Sequence, residues 1–428
     1  MSPLATSAPR ISSRGLAMPA SPIRKLMPLA DDARRRGVHV YHLNIGQPDL
    51  ETPPEIRERL SKLKDKVFAY SPSGGTPEYL AALRDYYGKL GVSLAVDELV
   101  ATAGGSEALL FAFFSITDAG DEALVVEPYY TNYRSFATMA GVTLKPLPSR
   151  AENGFHLPPR EIWEKAVGPR TRLVLLCNPN NPTGTVYTGD ELRMVAEFCR
   201  DRGLFLIVDE VYREFVYDGR RAESALQLPG FEKHVIVVDS LSKRYSACGI
   251  RLGCLATRNR DLYGAALRMA QGRLSPPGLA QFVAVGMKDI GPSYYASVVA
   301  EYQRRRDLLF EGLRGLPGVF LTKPEGAFYF VARLPVEDSE DFARFLLSDF
   351  ALDKATVMVA PASGFYATPG LGGNEVRIAY VLKEEDLRAS IRILGAALEA
   401  QTRRPATGEP AAAAASTAGP DFAVPAES

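Results

Sequence analysis

The stretch Ser240–Gly253, SLSKRYSACGIRLG, decides the reading of this chain. It follows the apolar run Val235–Val238, places Ser240 and Ser242 around Lys243, and sets Arg251 eight residues beyond the lysine. A lone lysine is ordinarily a solvated surface charge. This one stands just past a run that is apolar at every position, where a strand leaves a core.

Three other runs end in the same manner. Ala123–Val126 leads into EPYYTNY, Leu173–Cys177 into NPNNPTG, and Leu204–Val208 into DEVY. Runs apolar at successive positions suit parallel strands covered on both faces. Between two of them, DELRMVAEFCRDRG puts Leu192, Val195, Ala196 and Cys199 on one helical face, with Asp190 expected at the N-cap and Gly203 past the C-terminus. In a doubly wound sheet ligands bind outside the carboxyl ends of the strands. The polar clusters at four such ends therefore predict one shared site.

The last third differs. A charged helix in EYQRRRDLLFEGL is followed by GAFYFVARL, TVMVAP and EVRIAYV, then a helix near ALEA, the pattern of a smaller α+β domain. In EVRIAYV, Val376, Ile378 and Tyr380 share a face and Arg377 takes the other, either as an edge charge or, facing a cleft, as a bidentate carboxylate binder.

Composition sets limits. The chain has 428 residues, and its 50 Lys plus Arg balance its 50 Asp plus Glu, so no net field favours nucleic acid or an anionic membrane. No apolar run reaches the length of a membrane span, and MSPLATSAPR does not read as a secretory signal. Cys177, Cys199, Cys248 and Cys254 form no CxxC pair and lie in or beside apolar stretches, which predicts reduced thiols in a cytoplasmic protein. The four histidines are scattered, with no zinc constellation.

A Schiff base at Lys243 with an aldehyde cofactor needs several further parts: a carboxylate at the pyridine nitrogen, a phosphate cradle and a substrate carboxylate clamp. The chain offers each. Gly104, Gly105 and Ser106 open an apolar helical run, as a phosphate-binding helix start does. Asp209, ending LFLIV, is a buried carboxylate or a helix N-cap. Tyr212 and Asn181 are hydrogen-bond donors or, respectively, a packed ring and a turn residue. Tyr130 stacks on a ring or belongs to the core.

In this order and spacing, SLSKRYSACGIRLG, NPNNPTG and DEVY resemble the class I aminotransferases of pyridoxal-phosphate fold type I, over about Ile11–Leu398. The resemblance implies an α/β large domain over 51–295, with a mostly parallel sheet covered by helices on both faces. It implies a smaller α+β domain from 13–50 and 296–400; composition rich in Ala, Pro, Thr and Gly predicts a disordered tail over 401–428, and a similar composition a flexible arm over 1–12. The resemblance assigns pyridoxal 5'-phosphate as cofactor, Lys243 as the Schiff-base lysine, Ser240 and Ser242 as its small neighbours, and Arg251 as a phosphate ligand. Asp209 matches the partner of the pyridinium nitrogen. Asn181 and Tyr212 match the donors to the ring's 3' oxygen, Tyr130 the stacking aromatic, and Gly105 and Ser106 the phosphate loop. Tyr70 matches a tyrosine that reaches the phosphate of a neighbouring subunit, which implies a homodimer with shared sites. Gly46, in NIGQPD, and Arg377 match the clamp for the α-carboxylate.

The chain departs from familiar members at two points. Tyr130 stands where many aspartate aminotransferases have tryptophan. Ser106 stands where some bacterial members bind a side-chain carboxylate with lysine, and Arg273, in QGRLSPPGL, is the candidate substitute, near a region from which relatives supply a distal arginine to the partner. The reaction expected is transamination, aspartate with 2-oxoglutarate first. Aromatic or neutral amino acids, or a β-elimination lyase using the same residues, are the alternatives. A transcription regulator that borrows the fold would carry an N-terminal DNA-binding domain, and no basic recognition helix precedes NIGQPD.

Overall fold

The computed structural model describes residues 9–403. The remainder of the expected arm, 1–8, and of the expected tail, 404–428, lies outside the described residues. After β1 (His39–His42), seven strands form one sheet: β2 (Leu99–Thr102), β3 (Glu122–Glu127), β4 (Thr143–Pro148), β5 (Thr171–Cys177), β6 (Phe205–Asp209), β7 (Val235–Ser240) and β8 (Gly253–Ala256). Their order is β2-β8-β7-β6-β5-β3-β4. β3 to β7 pair with one another in parallel, and β8 runs antiparallel to both of its neighbours, β2 and β7.

The four apolar runs are β3, β5, β6 and β7, and the packing explains why they do not alternate. Ala123, Val125, Leu173, Leu175, Ile207, Ile236 and Val238 face one core cluster. Leu124, Val126, Val174, Leu176, Leu206, Val208, Val235 and Val237 face the other. Each strand thus buries both of its faces, and each buried Val, Leu or Ile side chain contributes about 1.5–3 kcal/mol of transfer free energy.

The helix Gly189–Arg202 buries Leu192, Val195, Ala196 and Cys199 as expected, and ends on Gly203 at φ 65°. Its N-cap is Thr188, not Asp190. Thr188 Oγ1 accepts from the Glu191 N–H at 3.2 Å, while the Glu191 carboxylate accepts from the Thr188 N–H at 2.8 Å. The T-x-x-E spacing satisfies two orphan N–H groups at once, which Asp190, inside the first turn, does not do.

The smaller part holds β9 (Phe320–Leu321), β10 (Tyr329–Arg333), β11 (Ala355–Met358), β12 (Ala360–Pro361) and β13 (Glu375–Ala379). An antiparallel sheet runs β12-β13-β10-β9, and β1 pairs in parallel with β11. The helix Pro292–Arg314 is continuous through 295/296, where a domain boundary is expected from the sequence. The last helix runs from Glu384 to Thr402, so the start of the expected tail, at 401, is helical.

Candidate active site

The carboxyl ends of β5, β6 and β7 open on a cavity of about 640 Å³. Gly46, Gly105, Ser106, Tyr130, Asn181, Asp209, Tyr212, Ser240, Ser242, Lys243, Arg251 and Arg377 all line it. These positions lie in separate segments of the sequence, and the seven-stranded sheet together with β13 and the segment after β1 brings them to one place.

Lys243 sits in the short helix Leu241–Arg244 that leaves β7. Its Nζ donates to the Gly46 carbonyl at 2.8 Å and lies 3.8 Å from Cys248 Sγ. Burial lowers the pKa of the amine below the usual lysine value, and the Arg377 and Arg251 guanidiniums push the same way against Cys248. The next residue anchors the turn. Arg244 is buried and donates to both Asp239 carboxylate oxygens, at 2.7 and 2.5 Å.

Asp209 ends β6. Its Oδ2 accepts from the Tyr133 hydroxyl at 2.8 Å and its Oδ1 from the Val211 N–H at 3.3 Å. Among the described residues no cation pairs with it. Burial, with Asp239 and Glu210 nearby, raises its pKa to about 6 despite those two donors. A buried carboxylate facing a cavity in this condition accommodates a protonated ring nitrogen.

At another side of the cavity the helix Gly105–Ile116 begins. Its N-cap, Gly104 at φ 83°, offers no side chain to cap the first N–H groups. A Cβ at Gly104 would stand 2.8 Å from Arg251 Nη2. Bare N–H groups beside a guanidinium make an anion site. Arg251 itself adopts φ 56°, a left-handed conformation costly for a side-chain-bearing residue. The Ser240 hydroxyl lies 2.9 Å from Ser242 Oγ, holding both serines at the cavity edge.

Arg377 projects from β13, the strand between β12 and β10, and is buried. Nη1 donates to Asn181 Oδ1 at 3.1 Å, Nη2 donates to the Asn44 carbonyl, and Nε has no partner among the described residues. Tyr329 and Phe365 lie against it, with ring centroids 4.5 and 5.0 Å from the guanidinium carbon. Asn181 Nδ2 in turn donates to Tyr212 at 3.4 Å, and Tyr212 meets the Tyr329 hydroxyl at 3.1 Å. An orphaned buried donor on a cation invites a carboxylate.

Two expected residues stand apart. Tyr70 is 82% exposed and does not line this cavity. Arg273 donates to Glu107 at 2.9 Å and to the Ser73 and Ala101 carbonyls, away from the cavity. Within its own chain it is already engaged. Tyr133, Tyr329, Asn132 and Arg24 were not anticipated. Tyr133 carries the one signal readable from sequence: it lies one helical turn past Tyr130, whose ring it meets at 5.4 Å. Asn132 Nδ2 donates to the Tyr130 hydroxyl at 2.9 Å.

The residues present fit pyridoxal 5'-phosphate: an amine, an unpaired buried carboxylate and an uncapped helix start beside arginine converge on one cavity. Comparison with known proteins agrees. The model of the family "Aminotransferase class I and II" matches residues 38–394. A probable aspartate/prephenate aminotransferase of Aquifex aeolicus is 34% identical, over 91% of this chain and 98% of that one. The solved aspartate aminotransferase of Thermus thermophilus with maleate aligns with a TM-score of 0.81 at 29% identity, covering 91% of this chain and 100% of the other. Alanine aminotransferase from Pyrococcus furiosus aligns with a TM-score of 0.83 at 28% identity and the same coverage.

Proposed function

This chain belongs to the class I and II aminotransferases and is a pyridoxal-phosphate-dependent transaminase, and from that premise we propose that it moves the amino group of aspartate to 2-oxoglutarate. The observation that carries the reading is the presence, in one cavity, of the half-buried Lys243 amine and the Arg377 guanidinium, whose Nε has no partner among the described residues. The choice of aspartate follows the relatives whose names include it.

When bound, the cofactor supplies an aldehyde carbon and an electron-accepting ring. Lys243, with its lowered pKa, keeps a larger neutral fraction than a surface lysine; that amine would hold the cofactor's aldehyde carbon and, when free, would serve as the base for the substrate's Cα proton. Asp209 would keep a negative charge at the ring nitrogen. Asn181 and Tyr212 would donate to the ring's 3' oxygen, and Tyr130 would cover a ring face. Arg251, Ser106, Ser240, Ser242 and the N–H groups beyond Gly104 would hold the phosphate. Arg377, with Gly46, fixes the α-carboxylate and so the direction of the Cα–H bond. On this reading 51–295 carries the cofactor, while 13–50 and 296–400 close over substrate.

We also read the assembly as a homodimer in which Tyr70 serves the neighbouring site. Val67, Phe68 and Tyr70 stand exposed together, which suits burial against a second copy. Four unpaired cysteines support the cytoplasm as its location.

The test is a panel of amino donors against 2-oxoglutarate, with borohydride reduction and peptide mapping alongside. Aspartate as a leading donor, ping-pong kinetics and a pyridoxyl adduct on Lys243 support the reading. An adduct elsewhere, or pyruvate and ammonia released without an acceptor, refutes it.

A further inference from the structure

Four cations line the cavity: Arg24, Lys243, Arg251 and Arg377. The proposed function uses three. Arg377 is also held by Asn181 and Asn44, and Arg251 Nη1 donates to the Cys248 carbonyl at 3.1 Å. Arg24 is different. Its guanidinium has no hydrogen-bond, ion-pair or ring partner among the described residues, and it is exposed to the cavity mouth.

The backbone around it is not loose. The Ile23 carbonyl accepts from Asn44 Nδ2 at 3.2 Å, and Asn44 is the residue whose own carbonyl takes Arg377. The Ile23 side chain packs on Ala360, Ala362, Phe365 and Tyr366. On the other side, Lys25 pairs with Glu340. Arg24 is therefore carried between two anchored neighbours, on the same body that holds Arg377. Tyr130 lies within electrostatic reach of both guanidiniums.

A substrate held by Arg377 through its α-carboxylate leaves its side chain to meet what remains. Ser106 brings no charge, and Arg273 is engaged by Glu107 away from the cavity. We propose that Arg24 binds the side-chain carboxylate of dicarboxylic substrates and sets the preference for acidic over neutral amino acids. This rests on the transaminase reading and replaces Arg273 in the distal role. A carboxylate meeting an otherwise unpaired guanidinium forms a charge-assisted contact at little reorganisation cost, since the segment is already in place.

The test uses the holoenzyme with Arg24→Met and Arg24→Lys. Turnover is measured with aspartate and with alanine; binding of succinate and of butyrate is read from the cofactor's absorbance. Arg24→Met is expected to lose roughly 10- to 100-fold in kcat/KM for aspartate and in succinate affinity, with alanine and butyrate within about twofold of wild type. Arg24→Lys is expected to retain part of the aspartate preference. Equal losses for acidic and neutral ligands, or no loss for succinate, overturn the assignment of Arg24 and leave the transaminase reading intact. A wild type that transaminates alanine but no acidic donor overturns the aspartate reading instead; succinate binding that still depends on Arg24 then supports the carboxylate site by itself.

Discussion

The hydroxyl of Tyr329 occupies the space that a side chain at residue 46 would need: a Cβ on Gly46 would stand 1.7 Å from it. The carbonyl of Gly46 is also the acceptor for Lys243 Nζ, at 2.8 Å. The glycine is therefore required by crowding at the site's centre, with no left-handed backbone involved.

Gly46→Ala should displace Tyr329 and with it the Tyr212 contact and the lysine's acceptor. A misplacement of about 1 Å costs roughly 10²-fold in rate, and a loss of that order in kcat/KM is expected, measured with the best donor. Tyr329→Phe should not rescue it, because the ring carbon that bears the hydroxyl would still lie 2.2 Å from the new Cβ.

Tyr133→Phe removes a hydroxyl donor from Asp209. The folded Asp209 carboxyl, before cofactor binds, titrates at about 6, above the ordinary aspartate range, and the Tyr133 hydrogen bond is one of the forces holding it down. The sign follows directly. From about pH 4 to 6 the folded protein keeps a proton that the unfolded chain has released, so this group's contribution to stability falls as pH rises through that window. Cofactor held by the ionised carboxylate must instead bind more tightly as pH rises through about 6. Losing Tyr133 should move that limb to higher pH and weaken cofactor binding near neutrality by roughly tenfold. Spectroscopic titration of apoprotein with pyridoxal phosphate across pH checks it; an unmoved limb contradicts the role given to Tyr133.

Asp239→Asn probes the support behind the lysine. Asp239 is buried; burial opposes its charge, but Arg244 and Arg213 outweigh this and hold its carboxyl below the usual range. Arg213 also reaches Glu210 at 2.8 Å, and Glu210 accepts from Ser224 and the Ala225 N–H. Breaking a buried pair from one side leaves a charge uncompensated, at about 3–5 kcal/mol. A fall of that order in unfolding free energy by denaturant titration is expected, with the Lys243 turn loosened in the folded fraction.

Much of this was readable along the chain. Runs apolar at every position identified β3, β5, β6 and β7, because each strand must satisfy two apolar surfaces. The residue types just past those runs identified the cavity wall, because strands in one sheet deliver their ends to one edge. The helix cap falls at Thr188 and not at Asp190, although the T-x-x-E spacing of Thr188 and Glu191 is local information. Arg273 could not be judged without its surroundings, since its bond to Glu107 spans 166 positions.

By itself, then, the order of residues determined which segments become core and which strand ends carry polar chemistry. Those are consequences of hydrophobic periodicity and of chemical type, both local; the roles expected of the amine, the carboxylate and the two guanidiniums come from the resemblance of their motifs to one family. Only the tertiary structure decided that Tyr133 reaches Asp209 across 76 positions, that Tyr329 takes the place of a side chain at Gly46, and that Arg24 lines the cavity with no partner among the described residues. Contacts between distant segments depend on where whole elements pack, and no stretch of the chain holds that information alone.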